Sequence, residues 1–265
     1  MTDLEVRIDG GISTLTMNRP KVRNALSMEM RQLLDQTLHE LEFNEDIRCV
    51  VLTGAGDHFM AGGDVRQMHD YLNSNESDEI QGYFLHRIHD LHPIMFSMRR
   101  MRKPIVAKVR GAAAGAGVSL VSACDLVIAE EDAFFTLAYC HIGTTPDGSS
   151  SFHLPRAIGI KRALEMTLLG DRYSVRQMSD MGLVNFVVPS EDLDGEADKL
   201  VQRLANGPTH VHGMAKKLMY RSLENEFESQ LQFEGECFAD CAGREHFREG
   251  VAAFVEKRKA NFTRK

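Results

Sequence analysis

Asp147 is the one carboxylate in the stretch HIGTTPDGSSSFHLP (residues 141–155), on a Pro-Asp-Gly turn between a small apolar patch and three serines. Asp-Gly after Pro is ordinary turn chemistry, so the plain reading is a residue that shapes a loop. The chemical reading is a proton carrier, since a carboxylate with little polar company has its pKa drawn towards neutrality. Two other stretches suit a partner role: AGGD (61–64) and GAAAGAG (111–117). Small residues there let backbones pack closely, and they also leave N–H groups open at a helix start, ready for developing negative charge. Neither stretch has the spacing of a dinucleotide or P-loop motif. Ser149, Ser150 and Ser151 lie near His141 and His153, but no G-x-S-x-G elbow is present. His86, His89 and His92 roughly share a helix face, yet no H-E-x-x-H or acidic ligand completes a metal set. No metal is expected. The basic run RRMRK (99–103) suits a helix C-terminus before Pro104 as well as it suits a phosphate.

The elements that must hold these groups are legible from periodicity. LEVRIDGGISTLTMN (4–18) alternates in polarity around Asp9-Gly10-Gly11 and predicts a hairpin. Leu26, Met30, Leu33, Leu34, Leu38 and Leu41 recur at three- and four-residue spacing, predicting an amphipathic helix of about four turns from Ser27. CVVLTG (49–54), IVAKV (105–109) and DLVIA (125–129) are short apolar runs of buried strands, and the first two lead into the small-residue loops. Residues 66–103 read as helical with a break near His92-Pro93. Beyond residue 155 the chain reads as helical apart from NFVVP (185–189), with successive amphipathic helices over 208–260. Strand, loop and helix repeat over two thirds of the chain, an α/β pattern with a helical last third and a subdomain border near Pro189–Leu193.

Composition bounds the function classes. The 265 residues are 43% hydrophobic and 26% charged, an ordinary globular balance. A net charge of −7 argues against nucleic acid or an anionic membrane as partner. The start lacks a basic n-region and an apolar h-region, so no secretory signal is expected, and the longest uncharged run is too short to span a bilayer. Five cysteines without a CxxC pair predict free thiols and a cytoplasmic location.

Five segments in order, MNRPKVRNALS (17–27), FMAGGDV (59–65), KPIVAKVRGAAAGAGVSLVSACDLVIAEEDAFF (103–135), IGTTPDGSSSFHLPRAIG (142–159) and REGVAAFVEKR (248–258), together resemble the crotonase superfamily of enoyl-CoA hydratases and isomerases. The resemblance spans nearly the whole chain. It implies a spiral of ββα turns over 1–190, a helical trimerisation region over 191–265, and homotrimers or dimers of trimers. It also implies an acyl-CoA thioester substrate, with no cofactor beyond the coenzyme A that the substrate carries. The thioester oxygen would sit between the backbone amides of Gly63 and Ala116. Arg23, Ala25, Ala61, Asp64 and Val65 would line the coenzyme path, and Lys257 would reach the coenzyme of a neighbouring subunit. Hydratases of the superfamily carry two glutamates where this chain has Ser119 and Tyr139. Two carboxylates activate water for addition, so their replacement favours a different reaction. An aspartate at the position of Asp147 is the proton carrier of several isomerases and the nucleophile of an aryl-CoA dehalogenase. The phenylacetate-pathway isomerases are the nearest branch. The expectation is a double-bond isomerase in which Asp147 shuttles the proton, Tyr139 is a wall or hydrogen-bond donor, and Ser119 is a filler or minor polar contact. Alternatives are hydration or dehydration of an unusual acyl-CoA, nucleophilic attack by Asp147, and acyl-CoA binding without catalysis.

Overall fold

A computed structural model describes residues 2–75 and 77–263. Nine strands lie among them: β1 (Leu4–Asp9), β2 (Ile12–Met17), β3 (Cys49–Gly54), β4 (Ile105–Val109), β5 (Ala112–Ala114), β6 (Leu126–Glu130), β7 (Phe134–Thr136), β8 (Tyr173–Ser174) and β9 (Phe186–Val188). The first helices are α1 (Met28–Phe43), α2 (Val65–Ser74), α3 (Ser77–His89), α4 (His92–Arg100) and α5 (Ala116–Ala123). They are followed by α6 (Ser150–Ile158), α7 (Ile160–Leu169), α8 (Val175–Asp180) and α9 (Leu193–Ala205). The chain closes on α10 (Thr209–Arg221), α11 (Phe227–Ala242) and α12 (Glu245–Val255).

The expected hairpin forms with Asp9 opposite Ile12, leaving Gly10-Gly11 as a two-residue turn. Ser27 caps α1, accepting from the Met30 amide at 3.0 Å. A six-stranded sheet runs β1-β2-β3-β4-β6-β9, antiparallel only at its first pair. The reason for the continuous apolar runs is that this sheet is covered on both faces. Val50, Leu52, Ile105, Ala107 and Val127 join the main core, while the alternate residues Cys49, Val51, Val106 and Ile128 pack on α9.

After each of three long strands the chain turns into a second, smaller layer. Met60 follows β3 and bridges Ala113; β5 follows β4 and β7 follows β6, and these two pair in parallel. The result is the repeated ββα spiral. The strands β5, β7 and β8 went unseen in the sequence because two or three residues carry no measurable period. The helical last third divides in packing. Leu193, Ala197, Val201 and Ala205 of α9 are buried against the large sheet, and Lys108 pairs with Asp194 at 2.7 Å. The helix α9 therefore packs on the large sheet. The helices α10 to α12 bury little, and leave Phe227, Phe238 and Phe254 at 72%, 68% and 86% exposure. No described helix is long and apolar enough to cross a membrane.

The two small-residue loops meet through this layer: the Met60 amide donates to Ala112 O at 3.0 Å, and the Ala114 amide donates to Met60 O at 2.8 Å. A side chain begun at Gly117 would meet Met60 O at 2.7 Å, which van der Waals contact forbids without a backbone shift. Gly117→Ala is thus expected to lose about 1–3 kcal/mol of stability by overpacking. A lowered urea midpoint with an unchanged slope would show it; an unchanged midpoint would refute the tight seam.

Candidate active site

Asp147 is half-buried, and its environment is built by two elements. The Tyr139 phenol, 8% exposed on the single turn Tyr139–Ile142, donates to Asp147 Oδ1 at 2.6 Å. Ser119 on α5 donates to the Asp147 carbonyl at 2.9 Å, and Ser150 at the start of α6 donates to the same carbonyl at 3.0 Å. Oδ2 has no donor among the described residues. Gly148 follows with φ +56°, and a side chain there would come within 2.9 Å of Ser119 Cβ. Only glycine serves both the left-handed turn and this contact, which presses the aspartate turn onto α5.

The same helix carries the expected oxyanion donor. Ala116 is its first residue, three before Ser119, so its amide lies in the turn that has no intrahelical acceptor. Neither the Ala116 amide nor the Gly63 amide donates to a protein acceptor among the described residues. Gly63 is aligned by its neighbours, since Leu26 N donates to Gly62 O at 2.8 Å and Ala61 N donates to Arg23 O at 2.9 Å. A side chain begun at Gly115 would lie 3.7 Å from Tyr139 Cζ, so the phenol stands beside the loop that supplies Ala116. Ala116, Ser119, Tyr139 and Asp147 are therefore brought together, and the Gly63 loop adjoins them.

Of the residues expected along the coenzyme path, Arg23, Ala61 and Val65 are exposed on one edge, and Ala25 is 9% exposed beside them. Asp64 is turned inward. Its carboxylate takes Arg19 Nη1 at 2.9 Å and the Gln67 amide at 3.3 Å, capping α2. Burial alone would raise its pKa, but these two donors win and hold it below the usual range. Lys257 is exposed just past α12 and is not brought to the site within one chain.

Three residues escaped the sequence reading. Asn24, fully buried at φ 56°, donates to His58 O at 2.7 Å and Ala55 O at 3.0 Å and accepts from Arg19 N, fixing the Arg23–Ala25 corner. Arg31 and Arg87 are 3% and 2% exposed. Their signal was present: Arg31 shares the apolar stripe of Leu34 and Leu38, and Arg87 stands four residues before Leu91. The histidines 86, 89 and 92 are exposed, and His89 and His92 lie on different helices. Ser150 Oγ is committed to the Asp147 carbonyl, and no serine hydroxyl is hydrogen-bonded to the imidazole of His141 or His153 among the described residues.

The electrostatics favour a basic carboxylate. Burial raises the Asp147 pKa, opposed by the Tyr139 hydrogen bond and the charges of Arg31 and Arg87. Burial, followed by the Asp147 charge and hydrogen bond, pushes the Tyr139 phenol well above its ordinary value, so it remains a donor.

A model of the enoyl-CoA hydratase/isomerase family matches residues 7–265. The chain belongs to the enoyl-CoA hydratase/isomerase family. It is 35% identical over 259 residues to the 1,2-epoxyphenylacetyl-CoA isomerase of Escherichia coli K12, covering 97% of each chain. It is 30% identical over 254 residues to 4-chlorobenzoyl coenzyme A dehalogenase-2 of an Arthrobacter species, covering 96% of this chain and 91% of that one. The crystal structure of an enoyl-CoA hydratase from Polaromonas sp. JS666 superposes with a TM-score of 0.90 at 34% identity, covering 97% and 98%. As a member of this family the protein is an acyl-CoA-processing enzyme, in agreement with the resemblance read from its five segments.

Tyr139→Phe removes a donor that favours ionised Asp147, so the carboxyl should titrate at higher pH than in the parent. Carbon-13 chemical shifts of the Asp147 carboxyl across a pH series measure this. A shift to lower pH would show that the phenol does not stabilise the charge.

Proposed function

We propose that the enzyme is an enoyl-CoA double-bond isomerase in which Asp147 Oδ2 moves the proton. The observation that carries this reading is the asymmetry of the carboxylate: Tyr139 holds Oδ1 at 2.6 Å, while Oδ2 has no donor among the described residues. One oxygen is positioned and the other is open to exchange a proton. Coenzyme A enters as part of the substrate, with Arg23 offered to its phosphates and the edge of Ala25, Ala61 and Val65 to the pantetheine. The amides of Gly63 and Ala116 take the thioester oxygen. As the C–H bond next to the carbonyl, or vinylogous to it, breaks, its proton goes to Oδ2 and its electrons move onto the thioester oxygen. Two fixed donors stabilise this charge without reorganising, each worth roughly 10²–10³ in rate. The double bond shifts and Oδ2 returns the proton to the other carbon of the same face. A raised pKa makes the carboxylate a better base for that exchange.

Ser119 and Tyr139, where hydratases of the superfamily carry glutamates, support isomerisation over water addition. Ser119 holds the Asp147 backbone and Tyr139 holds its side chain, so both are spent on one residue. The similarity to an isomerase acting on a phenylacetyl-CoA derivative points the same way. Asp147→Asn is expected to lower isomerisation of enoyl-CoAs with the bond at position 2 or 3 by about 10²–10⁴-fold. Acyl-CoA binding should persist. Unchanged isomerisation would end the mechanism, and loss of conjugated thioester absorbance without isomer formation would replace it by hydration. A covalent ester on Asp147, trapped by mass spectrometry, would replace proton transfer by nucleophilic attack.

The exposed apolar face of α10 to α12 supports the expected homotrimer or dimer of trimers, which would also bring Lys257 to a neighbouring coenzyme. Burying side chains as exposed as Phe254 against other copies removes large apolar area from water. Phe254→Asp should reduce the mass in sedimentation velocity; an unchanged mass would place the interface elsewhere.

A further inference from the structure

The two buried arginines are not explained by the fold. Arg31 Nη1 donates to the Arg87 carbonyl at 2.7 Å, and Arg87 Nη1 to the Tyr83 hydroxyl at 3.3 Å. Arg31 Nε, Arg87 Nε and Arg87 Nη2 are buried with no hydrogen-bond partner. No carboxylate lies within ion-pair distance of either guanidinium among the described residues. Asp147 is engaged by Tyr139 on Oδ1, and Asp90 is 3.9 Å from His86. Two like charges held together out of water, with no carboxylate in direct contact, are strongly unfavourable. An arginine does not escape this by shedding its proton readily.

Their position says what would compensate them. A narrow cavity of about 10 Å³ is lined by Leu34, Leu91, Met95, Ala116, Ser119 and Gly148. It therefore touches the oxyanion residue, the serine that holds Asp147, and the glycine that follows it. Leu34 stands one turn beyond Arg31 on α1, so Arg31 shares a face with a residue of the cavity wall, and Arg31 Nη1 in turn holds the Arg87 carbonyl at 2.7 Å. Met95, unbranched and flexible, forms part of the wall and can yield to a chain. The arginine pair thus packs behind the Leu34 wall of the space that an acyl chain would enter from the thioester end.

We propose that Arg31 and Arg87 receive a carboxylate at the distal end of a short acyl chain, making the preferred substrates coenzyme A thioesters of dicarboxylic acids. Two guanidiniums with three unpartnered nitrogens match the two oxygens of a carboxylate, the acceptor that arginine binds most strongly. The inference rests on the acyl-CoA reading of the site and adds the chemistry of the acyl end. Asp147 senses both positive charges, consistent with one continuous site.

The test compares glutaryl-CoA with pentanoyl-CoA, saturated probes of equal chain length that are not isomerised. Equilibrium binding by calorimetry should show glutaryl-CoA bound at least about tenfold more tightly, the return of one charge-assisted pair. That ratio should fall towards one in Arg87→Gln and in Arg31→Gln, and recover in part in Arg87→Lys. A ratio near one or below it in the parent protein would overturn the proposal, and so would an unchanged ratio in variants whose circular dichroism melts are normal. Should the glutamine variants fail to fold, the parent protein's ratio still decides. A preference for glutaryl-CoA without any isomerase turnover would defeat the isomerase reading alone. Isomerase turnover with no preference for a carboxylate would defeat this inference alone.

Discussion

The backbone seam between Met60 and Ala112–Ala114 is the constraint on which the site depends. Two hydrogen bonds at 3.0 and 2.8 Å tie the residue just before the first small-residue loop to the start of the second. Gly117 keeps a side chain out of the way of Met60 O. The proposed oxyanion site, made of backbone amides, would have no side chain to adjust, so its geometry would be only as good as the packing of the two segments that supply it. The spiral provides that packing by placing consecutive strand–turn units beside each other, with the large sheet buried on both faces beneath them.

The carboxylate is then located relative to those amides by side chains from the same units. Ser119 stands one turn after Ala116, so the helix whose first amide is open also grips the Asp147 carbonyl. Tyr139 comes from the turn after β7, which pairs with β5. Asp147 is thereby coupled to both sides of the second loop. Burial raises its pKa and the phenol restrains that rise, so the carboxylate is basic and still oriented. The Arg31–Arg87 pair adds positive charge from α1 and α3, which the Arg31 hydrogen bond to the Arg87 carbonyl joins.

Much of this was legible beforehand, for physical reasons. The hairpin, α1 and the buried strands β3, β4 and β6 showed in the sequence because periodicity and uninterrupted apolar runs are local consequences of burial. The short strands β5 and β7 did not, since Ala112–Ala114 becomes a strand only because Met60 and Phe134–Thr136 lie alongside it. The α9 helix was assigned to the helical tail, and only contact with Cys49, Val51 and Ile128 shows that it belongs to the core. Arg31 and Arg87 were passed over although each sits on an apolar stripe, because charge on a helix normally faces solvent.

The sequence by itself determined the family, the two small-residue loops, and Asp147 as the carboxylate beside them, because motif residues and their order are properties of the chain. It also determined that Ser119 and Tyr139, rather than carboxylates, accompany that aspartate. Tertiary structure alone decided what those residues do. A phenol 2.6 Å from Oδ1, a serine spent on a backbone carbonyl and two guanidiniums buried together arise from segments up to 56 residues apart. Which groups share a buried volume is set by packing, and packing has no local signature.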